Sequence, residues 1–123
     1  MFALIEQHPE IRFDLFFPPY SILSYVADHY TWKHAFAERQ AFKRFVVTEA
    51  DRHPNAHVFD FQGIEEITHD FTNYKDLEHY DLEVNEYILK SLATGRHAVS
   101  AATYESELKA QAAQVDRGRS LVP

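Results

Sequence analysis

Ile11-Arg12-Phe13-Asp14-Leu15-Phe16-Phe17-Pro18-Pro19 is the stretch that decides the fold. Its apolar residues alternate at first and become continuous at Phe16-Phe17, the pattern of a β-strand covered on both faces. Pro18-Pro19 ends the strand, because proline lacks the N–H that a ladder needs and fixes its own φ. His57-Val58-Phe59-Asp60-Phe61 has the same character and is closed by Gly63. A long helical pattern separates the two. Parallel strands need such a crossover, whereas antiparallel strands can be joined by a tight turn. The expectation is an α/β fold with a small parallel sheet and helices on at least one face.

Within the crossover, Ser21 takes the N-cap position of a helix running to about His29, with Ile22, Leu23, Tyr25 and Val26 as its inner stripe. Ser21 also stands at a strand-to-helix turn, where nucleophiles are found, but without the glycines such a turn uses; capping is the stronger reading. Trp32 to about Arg52 reads as a longer helix. Trp32, Ala35, Phe36, Phe42, Phe45, Val46 and Ala50 recur at spacings of three and four, and Glu38, Arg39, Lys43, Arg44 and Glu49 form the wet side. Phe2 to His8 reads as a short helix. Ile64 to Tyr74 reads as a loop with one helical turn. Asp81 caps a helix through Leu82, Val84, Tyr87, Ile88, Leu89 and Leu92, and Gly95 closes it. Val99 to Val115 is Ala-rich and Glu/Lys-spaced, predicting a less buried helix that either supports self-association or is solvated. Arg117 to Pro123 should fray. The expected division is residues 1–98 as the α/β portion and 99–123 as a helical extension and tail.

A chain of 123 residues with 46% hydrophobic residues holds one domain with a true core. A net charge of −7 argues against nucleic acid and anionic membrane surfaces as partners. Without cysteine, disulfides, thiolate chemistry and Cys-based zinc sites are excluded. The N-terminus lacks the basic leader of a signal peptide, and no apolar run approaches the roughly 18 residues that span a bilayer. The expectation is a soluble chain whose compartment is undetermined. Two strands make a very small sheet, so either a homo-oligomer or a further, N-terminal portion of the domain is expected to complete it.

The chemistry-bearing stretch is Asn73-Tyr74-Lys75-Asp76-Leu77-Glu78-His79-Tyr80. An Asp and a His at this spacing can form a relay pair, in which the carboxylate fixes the imidazole tautomer and the imidazole takes a proton from a nucleophile. The competing reading is a loop Asp that caps a turn beside a His packed on Tyr80. His69 and Asp70, with Asp76 and His79, also offer imidazole and carboxylate ligands, but without the H-x-x-x-H spacing of a helical metal site, and no metal or other cofactor is expected. Tyr20, after the first strand, either lines a site at the strand's C-terminal end or covers the sheet edge.

Strand, Pro18-Pro19-Tyr20-Ser21, long helix, strand Val58-Phe59-Asp60-Phe61, then the Asp76-to-His79 block: this order resembles the C-terminal part of SGNH (GDSL-like) hydrolase-fold proteins, especially bacterial cell-envelope members. The resemblance covers roughly Ile5 to Gly95. It implies a partial three-layer α/β/α, flavodoxin-like fold and a D-x-x-H block in which His79 is the general base and Asp76 its orienter. It also implies that Asn73, Tyr80 and Tyr20 shape the substrate site. Relatives of this type are esterases or acyltransferases, so the implied partners are an acyl-ester small molecule or a cell-envelope glycan, and the implied compartment is periplasm or envelope. The family's Gly-Asp-Ser block does not occur here, where the earliest of three glycines is Gly63. The expectation is therefore half a triad, inactive alone. The alternative is a non-enzymatic α/β interaction or oligomerisation module.

Overall fold

The structure is a computed structural model that describes residues 1–32 and 34–121. Two five-residue strands, β1 (Phe13–Phe17) and β2 (Ala56–Asp60), pair in parallel, with Phe13 opposite Ala56 and Phe17 opposite Asp60. Helix α1 (Phe2–Gln7) precedes β1; α2 (Ile22–Thr31) and α3 (Ala35–Ala50) form the crossover. The expected single helix from Trp32 thus starts at Ala35. After β2 come the short α4 (Glu65–Thr68), a 3-10 turn at Phe71–Asn73, α5 (Leu82–Thr94), β3 (Ala98–Val99) and α6 (Ala101–Gly118).

The third strand corrects the expected all-parallel sheet. β3 pairs antiparallel with β2, Val58 opposite Val99 and Phe59 opposite Ala98, giving a mixed sheet of order β1-β2-β3. Asp81 caps α5 as expected, its side chain accepting from the Val84 N–H at 3.0 Å. Gly95 ends that helix in the left-handed region, φ 77°, and donates to the Ser91 carbonyl. His97 is also left-handed, φ 67°. These two residues reverse the chain within a few positions and set β3 against β2. A two-residue strand is too short to show any periodicity, so nothing in the pattern announced it.

Successive residues on β2 point to opposite faces of the sheet. Val58 packs with Val46, Val47 and Ala50 of α3 and Tyr104 and Leu108 of α6. Its neighbour Phe59 packs with Phe61, Ile67, and Val84 and Ile88 of α5. The sheet is therefore covered on both faces by helices, a three-layer α/β/α arrangement. A third cluster of Ile22, Tyr25, Val26 and Val115 joins α2 to α6. α6 is thus helical as expected but is not a lightly buried appendage: Tyr104, Leu108 and Val115 lie in the core.

Two readings of burial change. β1 was expected to be covered on both faces; instead its burial alternates, leaving Asp14 and Phe16 exposed, and its outer edge pairs with no described strand. In α3 the inner stripe is rotated by one residue. Phe42 and Phe45 are exposed, as is Trp32, whereas Lys43, placed on the wet side by its charge, is only 3% exposed. Lys43, Val46, Val47 and Ala50 form the true i, i+3, i+4, i+7 stripe.

Candidate functional site

The loop from Tyr74 to Tyr80 is folded on itself. Tyr74 and Tyr80 form an antiparallel bridge, and the Lys75 N–H donates to the His79 carbonyl at 2.9 Å. At its tip one Asp76 oxygen accepts the backbone N–H groups of Glu78 and His79, both at 2.8 Å, while the other oxygen lies 2.7 Å from His79 Nδ1. One carboxylate thereby fixes both the turn and the imidazole. The backbone N–H donors of Glu78 and His79, then the His79 ring, hold the Asp76 carboxyl down at about 2, well below the usual carboxylate range. With Oδ2 able only to accept, Nδ1 carries the proton in the neutral ring and Nε2 keeps its lone pair.

The loop is anchored to the end of β1. Ser21 N–H donates to the Leu77 carbonyl at 3.0 Å, Tyr74 OH donates to the Pro19 carbonyl at 2.7 Å, and Ser24 Oγ reaches Glu78 Oε1 at 3.4 Å. Burial, with Tyr80 nearby, raises the Tyr74 pKa well above that of an ordinary phenol, so its hydroxyl is a permanent donor to Pro19. His79 consequently stands at the C-terminal end of a strand, the usual place of α/β sites. It lines a cleft of about 320 Å³ with Pro18, Tyr20, Glu78, Tyr80 and Asn85. The His79 side chain is 77% exposed and that of Asp76 57%. A His packed shut against Tyr80 is not what the fold holds.

Of the other expected site residues, Tyr20 and Tyr80 join His79 in this cleft. Asn73 does not line it: its Nδ2 donates to the Ile67 carbonyl at 3.2 Å, and its own carbonyl accepts the Asp81 N–H at 2.9 Å. Asn73 shapes the loop from behind. Ser21 occupies the N-cap position without a side-chain capping bond; its Oγ is buried with no partner among the described residues. The four ligand-type residues between His69 and His79 do not converge. Asp70 caps the 3-10 turn through Thr72, His69 Nδ1 lies 3.0 Å from Thr68 Oγ1, and no group of three potential ligands forms among the described residues.

A second polar constellation went unread in the sequence. At the C-terminal end of β2, Asp60 Oδ2 lies 2.7 Å from Lys43 Nζ and accepts from Tyr104 OH at 2.5 Å, while Oδ1 accepts the Gln62 N–H at 2.9 Å. Lys43 Nζ also donates to Gln111 Oε1 at 2.7 Å and Gln62 Oε1 at 3.1 Å. Burial pulls the Lys43 pKa below its ordinary value, against the pull of Asp60. Burial and the Asp60 charge push Tyr104 far above an ordinary phenol. The available signal was a lysine at the i−3 position of an apolar stripe. Its charge argues for the wet side, but its spacing places it inside.

None of the described helices is long and apolar enough to cross a membrane. No family model matches the chain, and no curated protein or solved structure is significantly similar to it.

Proposed function

We propose that Asp76 and His79 are the orienter and general base of an acyl-ester hydrolase or acyltransferase site of the SGNH type. The observation that carries this reading is the 2.7 Å contact of Asp76 Oδ2 with His79 Nδ1, in a cleft at the C-terminal end of β1. In that role Nε2 takes the proton of an attacking hydroxyl, and Asp76 stabilises the imidazolium that results. Tyr20 and Tyr80 line the acyl-ester cleft. With no Gly-Asp-Ser block among its residues, the chain supplies base and orienter and leaves the nucleophile to another polypeptide segment. The substrate class is an acyl ester, on a small molecule or on a cell-envelope glycan.

The test uses p-nitrophenyl acetate. An imidazole with a free Nε2 lone pair attacks this activated ester, expels p-nitrophenolate and returns to imidazole when water cleaves the acetyl group. The expected result is no triad-level hydrolysis but slow turnover at the pace of an oriented imidazole, which falls to the background of the other seven histidines in His79→Ala and falls in Asp76→Asn, whose amide N–H turns Nδ1 into the acceptor and puts the proton on Nε2. Nitrogen-15 NMR reads the tautomer directly, with Nδ1–H expected in the native chain. A rate unchanged in His79→Ala, or a native Nε2–H tautomer, overturns the proposal.

A second reading has its own observation. Met1, Leu15, Phe16, Phe17, Phe42 and Val46 line an apolar groove along the open edge of β1. An edge of that kind invites pairing with another chain. A non-catalytic interaction module would use it for self-association, which sedimentation over a concentration series measures; Phe42→Glu should then abolish the larger species.

A further inference from the structure

The open edge of β1 carries a defined set of unmet backbone groups. The Phe13 N–H donates to the Asn55 carbonyl at 2.8 Å, and the Phe61 N–H donates to the Phe17 carbonyl at 3.2 Å. Backbone groups of alternate residues point to opposite edges of a strand. Phe13, Leu15 and Phe17 therefore serve β2, while Asp14 and Phe16 present both N–H and C=O to the open side. Pro18 ends this row, because it has no N–H and its carbonyl already accepts from the Tyr20 N–H at 3.0 Å.

Side chains widen the edge into a patch. Met1, Phe16 and Phe42 line the groove along it. Leu4 stands one helical turn from Met1, and Phe45 one turn from Phe42. Phe17 meets Phe42 edge-on with ring centroids 6.5 Å apart, and Phe2 meets Phe45 in the same way at 6.3 Å. Met1, Leu4, Phe16, Phe42 and Phe45 are each 42–63% exposed. At about 200 Å² for a fully exposed side chain of this size, they offer about 500 Å² of apolar surface. Two copies bring about 1,000 Å² from these side chains alone, the size at which a specific interface begins. Charge does not oppose the meeting: Asp14 is the one charged side chain lining the groove, and Arg12 Nε holds it at 2.9 Å.

A two-fold axis makes the meeting strands antiparallel and closes the assembly at two copies. The edge then selects the register. With the axis at Asp14, two carboxylates stand directly opposite, which is destabilising. With the axis at Phe16 or Phe17, Pro18 comes opposite a residue that needs its N–H. With the axis at Phe13, Phe16 comes opposite Glu10, which lies in the turn before the strand. With the axis at Leu15, Asp14 of each copy faces Phe16 of the other, and the two pairs exchange four N–H···O=C bonds. We propose that the chain forms a two-fold dimer by antiparallel pairing of β1 with β1 of a second copy, Leu15 on the axis, joining two three-stranded sheets into one of six strands. This inference rests on the interaction-module reading, and it closes the edge to a strand from any other source.

The test is sedimentation equilibrium of the whole chain over a concentration series, with amide exchange read by NMR on the same samples. A monomer–dimer equilibrium is expected, with a Kd on the order of 10 μM. Well above that Kd, the Asp14 and Phe16 amides should exchange about tenfold more slowly than well below it. Asp14→Pro removes one donor per copy on the open side and leaves the ladder to β2 intact, so it should weaken the dimer by about tenfold. The chain has no cysteine, so Leu15→Cys puts its one thiol on the axis. There, facing residues stand about 4.5 Å apart, and air with copper phenanthroline should close an intermolecular disulfide. Asp14→Cys, which faces Phe16 rather than its own copy, should crosslink far more slowly. A chain that stays monomeric overturns this proposal and the interaction-module reading together. A dimer whose Asp14 and Phe16 amides exchange as in the monomer, or a folded Leu15→Cys dimer that does not crosslink, overturns the pairing alone. Should Leu15→Cys fail to fold, the exchange of the native chain decides.

Discussion

Lys43→Met asks how much the buried pair behind β2 contributes to stability. Methionine matches the length of the lysine stem and keeps its apolar contacts, but it removes the ammonium 2.7 Å from Asp60 Oδ2. The Asp60 side chain is 7% exposed, so water cannot replace the lost charge, and the carboxylate keeps only Tyr104 OH and the Gln62 N–H. Removing one partner of a buried ion pair costs about 3–5 kcal/mol, because the other charge is left uncompensated. The two glutamine oxygens add little, since each keeps a longer amide contact, Gln111 Nε2 to Gln62 Oε1 and Gln40 Nε2 to Gln111 Oε1, both at 3.5 Å. A loss of about 4 kcal/mol is a large share of the roughly 5–15 kcal/mol that holds a domain together. With a urea m-value of about 2 kcal/mol/M, the unfolding midpoint should fall by about 2 M. Lys43→Met/Asp60→Asn should cost less than Lys43→Met alone, because the stranded charge is gone. A midpoint shift below about 0.5 M, or a double variant that costs the sum of the singles, refutes the assignment.

Three further outcomes follow from the same geometry. The Asp76 carboxyl is depressed to about 2, so its loop contacts are fully present above the ordinary carboxylate range, near pH 4, and are lost as pH falls through about 2; the Glu78 and His79 amide shifts should titrate with that midpoint. A Cβ on Gly118 would stand 2.9 Å from Val26 Cγ2 and 3.0 Å from Ile22 Cγ1, both on buried side chains. Gly118→Ala should therefore destabilise by about 1–3 kcal/mol of overpacking, less up to about 1 kcal/mol of helix propensity, measured by urea unfolding. Tyr25 and Tyr104 are both raised by burial, so above about pH 10 the unfolded chain loses phenolic protons that the folded chain keeps. Stability should then fall by about 1.4 kcal/mol per pH unit for each. Lys43, lowered chiefly by burial, gives the opposite slope up to about pH 10.5, so the loss is best read above it, with Tyr104→Phe as the control.

What was legible in the sequence was what local chemistry decides. The Asp81 cap, the Gly95 stop, and the Pro18-Pro19 end of β1 depend on residues within a turn of one another. The Asp76–His79 contact is equally local, built from an i, i+3 spacing and a turn that one carboxylate closes on two N–H groups. The inside of α3 was not legible by residue type. Phe42 and Phe45 are apolar and exposed; Lys43 is charged and buried because Asp60, Tyr104, Gln62 and Gln111 arrive from β2, the turn after it and α6. No window shorter than the distance from Lys43 to Gln111 contains that information. β3 escaped for a similar reason: its partner is β2, and its own two residues carry no period.

The exposure of the relay pair adds a constraint to its proposed role. A triad carboxylate works buried, where the charge it offers the imidazolium is not screened by water. Here the Asp76 side chain is 57% exposed, and electrostatic stabilisation at such a surface is weak. On the relay reading, a segment that brings the nucleophile to His79 must also cover the pair and exclude water from the Tyr20–Tyr80 cleft. The open edge of β1 is placed for this. A strand added parallel to β1 would end beside Pro18 and Tyr20, which already line the His79 cleft, and would cover Phe16 on the way. On that reading, covering the pair and completing the proposed site would be one event. The isolated chain should keep the Nδ1–H tautomer, because that rests on local geometry, and should turn over esters only at the pace of an oriented imidazole.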